Sequence, residues 1–352
     1  MSQDILVSAM DLRNFGYAAL RSVGVASSMY RPVIDGLVET SLRGVDSHGV
    51  RLIPHYARAV LVGRIKKNAR FSFRKTAPST GVVDADHGFG IAAGLFAMDH
   101  AMKLAKSSGI GGVAVKHSSH FGAAAIYGLR AARKNMIGMA FTDVDSLVFP
   151  YGGKKTYFGT NPICFTAPME GEDPFCLDMA TTLVPLNKIL AYRAAGKTLS
   201  TGWAADAEGH PTTDPEKAVA PIAIGEHKGY GLAMMVAIFS SLLVGAPFGN
   251  AINSMFPLNS KRRNLGHFFL AINIAKFRPV IQFKKDLRRM AHALRSIRPM
   301  DPQKPVMVLG DPEKKQFSVR SKNGIPVPKH DTQAFIQLAQ EFNLDAKRFF
   351  SL

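Results

Sequence analysis

TGVVDADHGFGIAAGLFAMDHAMKLAKSSGIGGVAVKH, residues 80–117, decides the fold class. TGVVDAD is a short β-type run, residues 90–108 carry apolar side chains at helical spacing, and GGVAVKH is again a strand. A further helix over 123–134 continues the alternation, and strand–helix–strand–helix order argues an α/β sheet. Within the stretch, HGFGIAA (87–93) fits G-x-G-x-x-A at a strand-to-helix turn, the form of a dinucleotide fingerprint. The strand that follows ends at Lys116 and His117 and offers no acid for a ribose hydroxyl. Gly88 and Gly90 therefore read better as residues of a tight turn.

Working outward, strands are expected at 137–142, 163–167, 175–178 and 267–274, with a long apolar helix after Gly229. Upstream, Ser8 and Asp11 form a capping-box pattern before a helix with Leu12, Phe15, Ala19 and Val23 on one face, stopped by Gly24. A second helix starts near Ser28, holds Pro32 in its first turn and buries Ile34, Leu37, Val38 and Leu42. A third covers 51–62 and ends at Gly63. The tail returns to helices, one basic and one over about 332–342. The expected division is a helical domain from both chain ends, 1–78 plus 279–352, around an α/β domain at 79–278.

The chain has 352 residues, 47% of them apolar and 20% charged, the balance of a soluble globular protein. Its two cysteines, Cys164 and Cys176, make neither a disulfide framework nor a zinc site, so reduced thiols in a cytosolic protein are expected. The N-terminal stretch lacks the pattern of a secretory or transit peptide. Residues 231–248 approach membrane length, but Ser240, Ser241, Gly245 and Pro247 favour a buried helix, and no membrane partner is expected. The net charge of +18 raises the question of nucleic acid. Its densest part, 276–298, instead spaces Phe283, Leu287, Met290, Ala291 and Leu294 as a helix face opposite Lys284, Lys285, Arg288 and Arg289, as in a solvated helix. No specific nucleic-acid partner is expected.

Several stretches carry candidate chemistry. EHKGYGL (226–232) puts Lys228 and glycines at the entry of the apolar helix, where free N–H groups and the helix dipole suit an anion; a plain cap is the alternative. KHSSHFGAA (116–124) leaves a strand and enters a helix, the place where α/β proteins set their ligands. His120 there suits proton transfer or a cap, and with His117 it lacks a third ligand for a metal. FGTNPICF (158–165) and LDMATT (177–182) bunch polar residues at strand edges, with Asp178 at a strand end. GHPTTDP (209–215) reads as a surface turn. RGVDSHGV (43–50) follows the second helix and holds Arg43 and His48, with Arg51 next. Signatures of nucleophilic hydrolysis, P-loops and zinc chemistry are missing.

In order, RGVDSHGV, HSSHFGAA, FGTNP, LDMATT, GHPTTDP, HKGYGLA and RRNLGHFFLAIN resemble the signature series of the malate/L-lactate dehydrogenase family of the non-Rossmann kind. The resemblance covers nearly the whole chain. It implies a mixed-sheet α/β fold, a homodimer, and an oxidoreductase using NAD or NADP on small 2-hydroxy or 2-oxo acids. It also implies His48 as proton donor, His120 as proton acceptor, and cofactor contacts at Asp178, Met179, Ala180, Lys228, Gly229, Gly310 and Asp311. Two stretches depart from the family pattern: TDVDS (142–146), with Val144, and LGD (309–311). Reducing a 2-oxo carbon needs a proton donor for its oxygen and a cation for its carboxylate, for which Arg43 and Arg51 are both candidates. A cyclic 2-imino acid in the same site is the rival substrate, and a catalytically silent basic binding protein is the rival outside enzymes.

Overall fold

The computed structural model describes residues 4–350. Strand β1 (Ile5–Val7) leads into helices α1 (Ala9–Ser22), α2 (Ser27–Leu42) and α3 (Ile53–Leu61). There follow β2 (Ser72–Ala77), β3 (Thr80–Asp84), α4 (Gly90–Ser108), β4 (Ile110–Ser118), α5 (Ala125–Ala132), β5 (Met136–Thr142), β6 (Ile163–Ala167) and β7 (Phe175–Met179). A small lobe holds α6 (Leu186–Ala194) and the two-residue strands β8 (Ala204–Ala205), β9 (Pro211–Thr212) and β10 (Ala220–Pro221). Then come α7 (His227–Ser240), β11 (Leu265–Asn273), α8 (Val280–Arg295), α9 (Asp311–Asn323), β12 (Ile325–Val327) and α10 (Lys329–Glu341).

Local chemistry sets the boundaries. The Asp11 N–H donates to Ser8 Oγ at 3.0 Å, capping α1 as the sequence pattern requires, and Gly24 ends it at φ +80°. α2 begins at Ser27, so Pro32 lies in its second turn rather than its first; the helix accommodates the missing N–H there. Gly63, at φ +77°, closes the segment after α3.

The main sheet has seven strands in the order β2-β3-β4-β11-β5-β6-β7. Only β3 and β4 run parallel, joined through α4 as the opening stretch of sequence implies. Every other pairing is antiparallel, and β11 inserts between β4 and β5. The central strands are covered on both faces: Phe268 of β11 packs on Phe239 of α7, whereas Phe269 meets Tyr127 of α5. β2 is the edge strand, so the sheet already begins at Ser72. The chain ends meet where β1 pairs with β12 and Phe15 contacts the rings of Phe335 and Phe350.

Two apolar faces differ from expectation. α7 is not a buried helix: Ala233, Val236 and Ala237 face inward, but Met234 and Ile238, with Leu242 and Leu243 just beyond, are exposed. By length and hydropathy 227–244 passes for a membrane span. In the fold, Asn161 donates to the Ala233 carbonyl at 2.9 Å and Ser241 to the Asp143 carboxylate at 2.9 Å, tying the helix to the sheet. On α8 only Ala291, with part of Leu287, packs against Met169, Phe175 and Val308. Met290 and Leu294 remain exposed, because one narrow face is all that the neighbouring strands cover.

Candidate active site

The turn between α2 and α3 is fixed by side chains. Gly44 takes φ +83°, Asp46 holds both terminal nitrogens of Arg320 at 2.6 and 3.0 Å, and the Val50 N–H donates to Ser41 Oγ at 3.0 Å. A side chain at Gly49 would lie 2.0 Å from that Ser41 oxygen, so glycine is required for the chain to fold over it. The result is a short 3-10 turn, Asp46–His48, that presents His48.

The turn after β4 is fixed by backbone and a buried hydroxyl. Ser119 Oγ accepts from the Gly90 N–H and donates to the Gly88 carbonyl, both at 2.9 Å. A Cβ on Gly90 would stand 2.2 Å from the Ser119 carbonyl oxygen. The glycines of the apparent fingerprint are thus spent on close packing under the turn that carries His120.

The two turns bring their histidines together. The His48 and His120 rings stack with centroids 5.6 Å apart and planes at 28°. Ser47 Oγ lies 2.8 Å from His48 Nδ1, and the Tyr56 hydroxyl lies 2.7 Å from His120 Nδ1. Burial, then the Arg51 charge, lowers the pKa of His48. Burial drives that of His120 far below the usual imidazole value, with His48, Arg263, His55 and His267 adding to the effect. Beneath them His267 is fully buried, with Thr142 Oγ1 2.7 Å from Nδ1 and Ser118 Oγ 2.8 Å from Nε2; desolvation pushes its pKa down to about 3. Its ring stacks on Phe121 at 4.8 Å.

The two candidate anchors separate here. Arg43 is 5% exposed, bonded to Glu39 at 3.3 Å and Asp173 at 2.6 Å, with its guanidinium 5.1 Å from the Phe317 ring. Committed on every side, its guanidinium has no edge free for a substrate carboxylate. Arg51 is 41% exposed, acts on His48, and has only a loose contact of 3.9 Å with Asp331.

A second group of candidates meets at the end of β7. The carboxylate of Asp178 accepts the Ala125 N–H at 2.7 Å, which ties β7 to the helix after His120. Solvent reaches this side chain, yet the surrounding cleft desolvates it and raises its pKa to about 6 against the opposing N–H bonds. Beyond Met179 and Ala180, the Ile224 N–H donates to the Thr181 carbonyl at 2.9 Å, so the entry of α7 lies alongside. A Cβ on Gly229 would lie 2.2 Å from the Ile224 oxygen and 2.9 Å from the Thr181 oxygen. Lys228 is exposed beside it, and α7 has no side-chain cap. Gly310 packs its α-carbon over Cys176, two residues before Asp178. Asp311, however, is locked to Arg295 at 2.6 and 2.8 Å and to the Val308 N–H at 2.9 Å. Its carboxylate is occupied in holding the turn and is not free for a ligand. Among the described residues no three His, Cys, Asp or Glu side chains converge as metal ligands.

The model of the malate/L-lactate dehydrogenase family matches residues 7–335. The chain belongs to this family. It is 36% identical over 329 residues to malate dehydrogenase of Pyrococcus abyssi, covering 91% of this chain and 90% of that one. It is 35% identical over 267 residues to ureidoglycolate dehydrogenase (NAD(+)) of Escherichia coli O157:H7, covering 76% of each. The crystal structure of malate dehydrogenase from Entamoeba histolytica superposes with a TM-score of 0.91 at 31% identity, over 97% of this chain and 99% of that one.

The malate/L-lactate dehydrogenase fold thus brings His48 and His120 to one place, with the Arg51 charge acting on His48. It sets Asp178, Met179 and Ala180 beside the entry of α7, with Lys228 and Gly229, at another place joined to the first by the Ala125–Asp178 bond, whereas Gly310 lies at the start of β7. Three residues at the first place escape sequence reading. Tyr56 looks like one more core position of α3, and only its phenol at an otherwise apolar face signals more. His267 alternates correctly as an inward residue of β11. Arg263, 3% exposed, pairs with Asp145 and donates to the Asn253 carbonyl at 3.0 Å. It belongs to RRNLGHFFLAIN, a motif that carries no role until Asp145 is seen opposite.

Proposed function

We propose that the cleft between the His48 turn and the end of β7 interconverts a small 2-hydroxy acid and its 2-oxo acid with NAD or NADP, as expected of a family of dehydrogenases acting on 2-hydroxy acids. The stacked His48–His120 pair with the open Arg51 beside it carries this reading. Arg51 grips the substrate carboxylate through charge-assisted hydrogen bonds. His48 gives or takes the proton on the substrate oxygen. The uncapped entry of α7, with the exposed Lys228, fits the cofactor's phosphates, and Gly229 lets that helix end pack closely on Ile224 and Thr181. Asp178, Met179, Ala180 and the backbone at Gly310 would line its remaining length. When bound, the nicotinamide supplies or accepts the hydride.

Two copies would associate through the exposed apolar residues after Ala233, and the free Cys164 and Cys176 suit a cytosolic setting. The chain-end helices form one unit and the sheet another in this reading.

Loss of absorbance at the reduced-nicotinamide band, followed with a panel of 2-oxo acids and one cyclic 2-imino acid, tests the function. Turnover of any 2-oxo acid supports it. Turnover of the imino acid alone replaces it with imine reduction, and cofactor binding without any turnover points to a silent binding protein.

A further inference from the structure

The two histidines have different partners, and the difference assigns them different work. We propose that His120 acts as a permanently neutral N–H donor, its proton held on Nε2 by a hydrogen bond from Tyr56 to Nδ1, while His48 alone carries the transferred proton. This inference rests on the dehydrogenase reading of the site.

The Tyr56 hydroxyl has two acceptors in reach, His120 Nδ1 at 2.7 Å and the His120 carbonyl at 3.4 Å. A phenol has one proton to donate, and we assign it to the nearer acceptor, the carbonyl lying at the outer limit of a hydrogen bond. Tyr56 is 1% exposed, and burial raises its pKa beyond the ordinary phenol value, so the proton stays on oxygen. A neutral imidazole that accepts at Nδ1 carries its hydrogen on Nε2. Adding a second proton is opposed from every element packed on the ring: His48 from its turn, His55 from α3, Arg263 from the segment before β11 and His267 from β11. The Asp145 carboxylate, the partner of Arg263, is already bound to it.

His48 also has its pKa lowered by burial and Arg51, but its hydrogen-bond partner differs. Its Nδ1 faces the Ser47 hydroxyl, which can donate to the neutral ring or accept from the charged one, so both protonation states are served. In the reductive direction the 2-oxo carbon receives the hydride and its oxygen takes one proton from the His48 imidazolium. His48 is left neutral and recovers a proton from solvent. His120 keeps its hydrogen throughout and donates it as a hydrogen bond to the oxygen as negative charge grows there, so Tyr56 is a positioning residue.

Nitrogen-15 spectra of the protein labelled at histidine, without substrate or cofactor, test this directly, the His120 signals being assigned by their loss in His120→Gln. The expected result is an Nε2–H tautomer that does not titrate between pH 6 and 8, and a mixture of tautomers in Tyr56→Phe. The kinetic arm compares His120→Ala with His120→Gln, whose amide restores an N–H but cannot shuttle a proton. His120→Ala should lose about 10²–10³ in kcat, and His120→Gln should recover at least about tenfold of that loss, consistent with donation. An Nδ1–H or charged His120 in that pH range, or equal loss in Ala and Gln, overturns the inference while leaving the dehydrogenase reading intact. Failure of wild type to turn over any substrate removes that reading and leaves the tautomer as measured.

Discussion

The turn that presents His48 and the turn that presents His120 are built from opposite materials. The first is held by charge: Asp46 on Arg320, and just before it Arg43 between Glu39 and Asp173. The second rests on neutral polar groups, namely Ser119 between Gly88 and Gly90, the Tyr56 phenol, and the Ser118–His267–Thr142 chain below. Burial lowers the pKa of both histidines, that of His120 further, and their partners differ: a serine hydroxyl beside His48 serves either protonation state, whereas several cationic or protonatable groups crowd His120.

The strongest way to break this contrast is His48→Ala. Turnover should fall by about 10²–10⁴, the usual worth of a positioned acid–base group. Cofactor affinity, measured by quenching of protein fluorescence, should stay as in wild type; turnover within threefold of wild type would remove His48 from the chemistry.

The two arginines sharpen it next. Arg43→Ala leaves Asp173 without its cation and Glu39 with Arg133 alone, and should destabilise the fold by about 1.5–3 kcal/mol in chemical denaturation, the worth of a hydrogen bond to a charged group. The fraction that folds should keep the wild-type KM. Arg51→Ala should do the reverse, raising KM for the 2-oxo acid about 10–150-fold, the loss of 1.5–3 kcal/mol from a charge-assisted bond, with an unchanged melting temperature. If KM follows Arg43 instead, the assignment of the anchor is wrong.

The smallest effect concerns the neutral side. Asp143, at the end of β5 beyond Thr142, is fully buried, and desolvation raises its pKa to about 6 against the Ser241, Asn161 and Val144 hydrogen bonds. A carboxyl whose folded pKa lies above its unfolded value near 3.9 binds more protons in the folded state between those two values. Its contribution therefore favours folding below about pH 4 and is lost as pH rises through about 6. Asp143→Asn, which keeps the neutral shape, should gain about 1–3 kcal/mol over wild type at pH 7 and nothing at pH 4. A gain that is equal at both pH values would show that the site does not hold a desolvated carboxylate.

Much of the scaffold could be read from the chain. The β3–α4–β4 unit, the Ser8 cap, the strand at 163–167 and the stops at Gly24 and Gly63 all follow from periodicity and turn residues within a short window. The seven motifs also single out His48 and His120, whose rings the fold stacks on each other. What could not be read are pairings between distant segments. β11 reads as a strand, but nothing local says that it runs antiparallel between β4 and β5. Arg43 and Arg51 are equally good candidates on paper, and only Asp173 and Phe317, which arrive from elsewhere in the chain, remove the first.

The sequence by itself marked candidate residues such as His48 and His120 and most of the long helices and strands, because side-chain type and spacing act over a few residues. Only the tertiary structure decided their jobs. Charge state, tautomer and availability depend on what distant strands and helices place around a group, and that is set by burial and partners rather than by the residue alone.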